Sequence, residues 1–217
     1  MSIRIVLADD HAIVRYGLSK SIQQEEGMEV VGQARNGLGA IDLVKELSPD
    51  VVVMDISMPD INGMDATREI VRDFPEVKIV ALSMHSAKRF VREMFKAGAS
   101  GYLLKDCEFD ELAMAIRTVM TGRSYLSPEI TDVVVDEYVQ GPAEEKDSVF
   151  TALTKRERQV LQLLAEGQTT KQVGMKLNIS PKTVEAHRLR IMGKIDIDNI
   201  AQLTKYAIQE GLTSAEP

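Results

Sequence analysis

Two hydrophobic rhythms alternate through the first half of the chain. Five short runs, 3–7, 30–34, 51–54, 78–82 and 102–104, are apolar and rich in Val or Ile. Between them the apolar residues recur at helical spacing with polar residues interposed, as in Ile13, Tyr16, Gly17 and Ile22 or Leu112, Ala115, Ile116 and Val119. Strand alternating with helix predicts parallel βαβ units, hence an α/β fold: a doubly wound five-stranded parallel sheet covered by helices on both faces. The unbroken apolarity of 51–54 fits a strand buried on both sides. In such sheets ligands bind beyond the carboxyl ends of the strands, where strand order reverses.

After Gly122 the rhythm changes. Ser127-Pro128 opens a short helical run to about Tyr138, and 140–147 is a Gly-Pro-charge stretch that reads as the flexible part of a linker. Beyond it no strand signal returns, and 153–212 reads as four helices with turns at Gly167, 178–181 and 196–199. Thr154 and Glu157 form a capping box at the first of these helices. Ser180 as N-cap with Pro181 at the first helical position starts another helix at a sharp corner. The chain therefore divides into an α/β domain over 1–122, a linker with a short helix over 123–148, and an all-α four-helix domain over 149–214.

A length of 217 residues suits two domains, and 44% hydrophobic with 27% charged residues is ordinary for a globular chain. No apolar run approaches the roughly 20 residues of a membrane span, and the first 13 residues lack the pattern of a signal peptide, so a cytoplasmic protein without membrane contact is expected. The single cysteine, Cys107, has no intramolecular disulfide partner and no zinc-site spacing around it. The net charge of −7 conceals an asymmetry: residues 146–217 carry net +3 and residues 1–145 net −10. A basic tail suggests a polyanionic partner, and an acidic body suits a metal cation or simple solubility.

Asp9 and Asp10 follow the first predicted strand and Asp55 the third, so three carboxylates converge at one end of the sheet. Such a cluster is tolerable when a cation sits among them or some carboxyls hold protons. Mg2+ fits, because it takes one or two carboxylates, keeps several waters and leaves room for a phosphate oxygen. A carboxylate beside that ion is able to attack a phosphoryl group and become an aspartyl phosphate. Lys105 ends the fifth strand and is a candidate for the phosphoryl oxygens, and Ser83 ends the fourth and is a candidate hydrogen-bond donor. An Asp-Asp pair before a helix is, on its own, more often an N-cap, and His11 reads as a surface residue without a partner. Gly37-Leu38-Gly39 is too short for a nucleotide fingerprint, since Asp42 takes the third glycine's place.

The run Val6-Leu7-Ala8-Asp9-Asp10-His11, then Met54-Asp55-Ile56-Ser57-Met58-Pro59, Leu82-Ser83 and Gly101-Tyr102-Leu103-Leu104-Lys105 resembles the receiver domain of two-component response regulators. The resemblance implies that Asp55 is the phosphoacceptor, that Asp10 is a direct magnesium ligand, that Asp9 acts mainly through water, and that the main-chain carbonyl of Ser57 is a further ligand. It makes Ser83 and Tyr102 the pair that rearranges on phosphorylation, Lys105 the phosphate clamp, and a sensor histidine kinase the phosphate source.

In the last third, six basic residues and one acid, Glu185, lie between positions 171 and 194, the kind of charge that phosphate backbones favour. The segment from Leu153-Thr154-Lys155-Arg156-Glu157 through Ile179-Ser180-Pro181-Lys182-Thr183-Val184-Glu185-Ala186-His187 resembles a LuxR-type DNA-binding domain, and the two domains together resemble the NarL/FixJ class. That implies a helix-turn-helix over 170–189 and a recognition helix over 180–195. The candidate DNA contacts are Lys171, Lys182, Thr183, Glu185, Ala186, His187, Arg188, Leu189, Arg190 and Lys194. Glu185 stands where the family often has lysine; it either accepts from a cytosine amino group or weakens non-specific binding. A module this small buries limited DNA surface, so promoter DNA is expected to be bound by a homodimer formed on phosphorylation. The rival readings are an aspartyl-nucleophile phosphatase, disfavoured because position 57 is Ser rather than a second carboxylate, and a DNA-binding protein indifferent to phosphate. The expectation is a regulator and not an enzyme.

Overall fold

The computed structural model describes residues 2–140 and 148–214, with the side chains of 136–140 excepted. The first half alternates β1 (Ile3–Ala8), α1 (Ala12–Gln24), β2 (Met28–Ala34), α2 (Gly37–Leu47), β3 (Val51–Met54), α3 (Gly63–Asp73), β4 (Lys78–Ser83), α4 (Lys88–Ala97), β5 (Gly101–Leu104) and α5 (Phe109–Met120). A two-residue strand β6 (Tyr125–Leu126) and helix α6 (Pro128–Gln140) follow. The sheet is parallel throughout, in the order β2-β1-β3-β4-β5-β6. Five strands are expected from the hydrophobic pattern and the structure has six. Tyr125 and Leu126 pair with Gly101 and Tyr102, but two residues are too few to show a period. The expected linker segment 141–147 lies outside the described residues.

All four residues of β3 are buried, for the reason its pattern suggests. Val52 and Met54 join one core with Ile41, Met64 and Met94 from α2, α3 and α4, while Val51 and Val53 join the other with Ile22, Leu112 and Ile116 from α1 and α5. Strand order reverses between β1 and β3, where Ala8 and Met54 are partners. The residues that follow them, Asp9 and Asp55, therefore emerge side by side.

Gly63, the first residue of α3, allows the close turn there. Its amide donates to the Ile56 carbonyl at 2.7 Å, and a Cβ in its place would lie 1.9 Å from the carbonyl oxygen of Asp55. Gly63→Ala should cost about 1–3 kcal/mol, the usual range for forced overpacking, as a lower urea midpoint with an unchanged slope. An unaltered midpoint would mean that the backbone around Asp55 yields freely.

The second half contains α7 (Val149–Ala152), α8 (Lys155–Ala165), α9 (Thr170–Leu177), α10 (Pro181–Ile195) and α11 (Ile200–Gln209) around their own core of Leu153, Val160, Leu161, Val184, Ile191 and Leu203. The four expected helices are α8 to α11, and the single turn of α7 precedes them. The Thr154–Glu157 capping box is present, with a second at Thr169 and Gln172. This half lies against α3 and α4. Arg158 on α8 pairs with Asp65, Lys155 with Glu69, Lys176 on α9 with Asp60, and Arg89 on α4 with Glu210. Three of these four pairs set a cation of the second half on an acid of the first, and the Arg89–Glu210 pair runs the other way.

Candidate phosphoacceptor site and DNA-reading helix

At the mouth of the sheet Asp9 and Asp55 are almost fully buried, 3% and 4% exposed. The Lys105 ammonium joins them, with Nζ 2.7 Å from Asp9 Oδ2 and 2.8 Å from Asp55 Oδ2. Asp10 is half-buried. One ligand atom from each of Asp9, Asp10, His11 and Asp55 falls within 4.8 Å of the others. Burial pushes the Asp55 carboxyl up to about 6; Lys105 opposes this and the charges of Asp9 and Asp10 add to it. The Lys105 ammonium is disfavoured by its own burial, yet Asp55 and Asp9 outweigh that and raise its pKa. A carboxylate that gives up its proton reluctantly, with two more acids beside it, is a site that a hard divalent cation relieves. The oxygen-rich donor set fits such an ion.

The capping alternative fails, because Asp9 and Asp10 both precede the N-cap of α1, which is His11. Asp9 Oδ1 accepts from the His11 amide at 2.8 Å. His11 is exposed, as expected, but it is not partnerless: its Nδ1 lies 2.8 Å from Asp10 Oδ1 and 3.2 Å from Asp9 Oδ1. At the start of α2, Asn36 caps Gly39 and its side-chain amide donates to Asp60.

Ser83 and Tyr102 meet beneath this pocket. Both are completely buried; Ser83 Oγ accepts from the His85 amide at 3.0 Å, and the Tyr102 hydroxyl donates to the His85 carbonyl at 2.6 Å. Burial moves the Tyr102 phenol well above its usual range, despite a hydrogen bond to Ser83. His85 itself escaped the sequence reading. Its Nε2 is 3.0 Å from Ser57 Oγ and its ring stacks on Phe90 with centroids 4.1 Å apart. Burial first, then Arg89 and Lys105, lowers its pKa, so the imidazole is neutral at pH 7. The only sequence signal was its place two residues after Ser83.

In the helical half, α9 and α10 form a tight corner. Asn178 takes a left-handed backbone (φ 54°), and Ser180 Oγ accepts from the Thr183 amide at 3.0 Å. Lys171, Lys182, Thr183, Ala186, Leu189, Arg190 and Lys194 are exposed, while Glu185, His187 and Arg188 are half-buried. Lys194 is not free for DNA in this conformation, because its Nζ sits 2.7 Å from Glu157 Oε2.

Residues 5–117 match the family described as response regulator receiver domain, and residues 151–207 match the bacterial regulatory proteins of the luxR family. The chain belongs to the NarL/FixJ class of two-component response regulators. It is 39% identical over 213 residues to the oxygen regulatory protein NreC of Staphylococcus carnosus, covering 96% of this chain and 98% of that one. It is 36% identical over 213 residues to the response regulator GacA of Pseudomonas aeruginosa, with 98% and 99% covered. Among solved structures, a LuxR-family response regulator from Aurantimonas shares 38% identity over 64% of this chain and 99% of that one, with a TM-score of 0.62. RcsB from Salmonella enterica serovar Typhimurium, bound to promoter rprA in the presence of phosphomimetic BeF3-, shares 25% identity over 95% and 98%, again with a TM-score of 0.62. These relatives are regulators of transcription, not enzymes.

In this response regulator the output domain grips the receiver loop that follows Asp55. Gln162 on α8 donates to the Met58 carbonyl at 2.8 Å and accepts from the Asn62 amide at 3.2 Å. Glu166 accepts from the Asp60 amide at 3.1 Å, and burial raises its pKa. The Arg158 guanidinium makes two bonds to Asp65, of 3.0 and 2.5 Å, and packs with Arg68 against Phe150. No described helix is long and apolar enough to cross a membrane.

Proposed function

We propose that this chain is a phosphorylation-switched, DNA-binding transcription regulator that accepts phosphate on Asp55 from a sensor histidine kinase. The observation that carries the reading is the buried Asp9–Lys105–Asp55 bridge, with Asp10 completing the acid cluster. Mg2+ would be held by Asp10, Asp55 and the Ser57 carbonyl, with Asp9 acting through water, and would neutralise charge on a transferring phosphoryl group. Asp55 is the nucleophile; Lys105 and Ser83 hold the phosphoryl oxygens once Lys105 releases its carboxylate partners. The Ser83–Tyr102 pair and the Met58–Asn62 loop then carry the change to the output domain. Phosphorylation biases a two-state surface, because a charge at Asp55 is screened over the distance to DNA. RcsB, solved as dimers bound to DNA and also bound to a promoter in the presence of a phosphomimetic, supports a dimer on promoter DNA, with Lys171, Lys182, Thr183, Arg190 and their neighbours at the interface. The chain acts in the cytoplasm, where its DNA partner lies.

The test is a titration with beryllofluoride and Mg2+, following binding to genomic DNA fragments at one fixed salt concentration. Binding is expected to tighten at least about tenfold and become selective in the wild type and to stay unchanged in Asp55→Asn. Equal binding with and without beryllofluoride would leave DNA binding intact and remove the switch.

A further inference from the structure

We infer that each DNA half-site read by this chain contains a cytosine whose exocyclic amino group donates to Glu185, next to a thymine whose methyl group lies against Ala186 and Leu189. The inference rests on the DNA-binding reading above and names the bases that the recognition helix selects.

Helical spacing puts Lys182, Glu185, Ala186, Leu189 and Gly193 on one stripe of α10, because residues three and four apart lie on the same face. The opposite face is fixed by Val184 and Ile191, both buried in the output core. Among the described residues the outward stripe is open: Leu189 is 65% exposed, and Lys182, Ala186 and Gly193 are exposed. At Gly193 an added Cβ would meet nothing within 4 Å, so protein packing does not demand glycine there. Glycine inside a helix is nonetheless unfavourable. Its lack of bulk on this stripe leaves room for a groove wall to come close.

Glu185 is the one acid on α10, and the structure holds it in place. Thr170 Oγ1, from the first turn of α9, donates to its Oε1 at 2.7 Å, and Arg188 lies 3.2 Å from its Oε2. An unrestrained carboxylate on a DNA-reading face would be repelled by the phosphates and would lose rotamer freedom on binding. Thr170 removes most of that freedom in advance and Arg188 supplies the countercharge, while the side chain remains 41% exposed.

A carboxylate accepts hydrogen bonds and donates none, and this selects among the bases in the major groove. Guanine offers two acceptors and thymine a carbonyl oxygen and a methyl group, so neither has a donor for Glu185. Adenine has an amino group, but its N7 acceptor lies beside it and opposes a negative charge. Cytosine presents an amino donor without an adjacent acceptor. Ala186 and Leu189 offer only apolar surface, and the thymine methyl is the one apolar group on the major-groove edge of the four bases. Both features therefore point to one short base pattern.

The experiment is selection of binding sites from random duplexes by the full-length protein, with Mg2+ and beryllofluoride at one fixed salt concentration. The wild type should enrich a motif with one C·G pair per half-site favoured about tenfold or more over the alternatives, beside an A·T pair. Glu185→Gln should move that single position toward adenine, which a side-chain amide recognises with a donor and an acceptor, and leave the other positions unchanged. Thr170→Val should weaken the preference without moving it. Identical motifs from the wild type and Glu185→Gln would overturn the inference while leaving sequence-specific DNA binding in place. Failure of both proteins to enrich any sequence would overturn the DNA-binding reading itself.

Discussion

Asp55→Asn protein is expected to take up no phosphate from acetyl phosphate and Mg2+, under conditions that label the wild type. The amide keeps the shape of the carboxyl group and removes the nucleophile. The same substitution also carries a pH signature. In the metal-free native state Asp55 titrates near 6, against an ordinary 3.8, chiefly because it is buried. Below about pH 4 both native and unfolded chains hold the proton and the difference costs nothing. Between about pH 4 and 6 the unfolded chain releases the proton while the native site keeps it, so wild-type stability falls as pH rises through that window. The loss levels off above it at about 3 kcal/mol, from roughly two pKa units at 1.36 kcal/mol each. Asparagine has no proton to lose, so the variant should gain on the wild type across this window in chemical denaturation. Mg2+ should narrow the gap, because the ion offsets the repulsion that ionisation creates. Labelling of the variant would remove Asp55 as phosphoacceptor, and a pH-independent stability difference would contradict the burial argument.

The residues of the candidate phosphoacceptor pocket were legible in the sequence because each lies at a strand end or just past it. A parallel sheet sends every such residue to the same rim, so Asp9, Asp10, Asp55, Ser83 and Lys105 are placed once the strands are recognised. The recognition helix was legible for a similar local reason: Ser180 and Pro181 set its start, and Val184 and Ile191, buried, with the partly buried Ile195, its core-facing side. What escaped was pairing between residues far apart in the chain. Gln162 lies 104 positions from Met58 and Arg158 lies 93 from Asp65, and no period or cap records that they meet. Each of these polar residues also has a sufficient local explanation on its own helix. Lys194 read as one of several DNA-facing cations, whereas its carboxylate partner, Glu157, is a capping residue 37 positions earlier. His85 had no pattern at all, because a single imidazole in a loop acquires meaning only when Ser57, Phe90 and Tyr102 close around it.

The largest effect on the arrangement of the two domains is expected at Arg158. It is 6% exposed and Asp65 is 3% exposed, so the pair is sealed in the contact between output and receiver. Replacing one partner of a buried ion pair strands the other, at a cost of about 3–5 kcal/mol. In Arg158→Met the carboxylate of Asp65 keeps Arg68 at 3.3 Å and a long hydrogen bond from the Asn62 side-chain amide at 3.4 Å, and loses its two bonds to the guanidinium. Separation of the domains relieves that charge by exposing it to water. Small-angle scattering of the unphosphorylated variant should show an expanded particle beside a compact wild type. Asp65→Leu combined with Arg158→Met should recover much of the loss, since two apolar residues leave no stranded charge, and the resulting cycle isolates the pair from the bond Arg158 also makes to the Leu153 carbonyl. The outward stripe of α10 is already exposed in the docked form. Under the proposed phosphorylation switch, docking would restrain the output domain by fixing its position and orientation, hindering pairing of two copies on DNA, rather than by covering the recognition helix. It follows that Arg158→Met should bind DNA without beryllofluoride nearly as tightly as the activated wild type. A compact variant that still needs the phosphoryl mimic would show that the Met58–Asn62 loop and its Gln162 clasp, and not the Asp65–Arg158 pair, hold the two domains together.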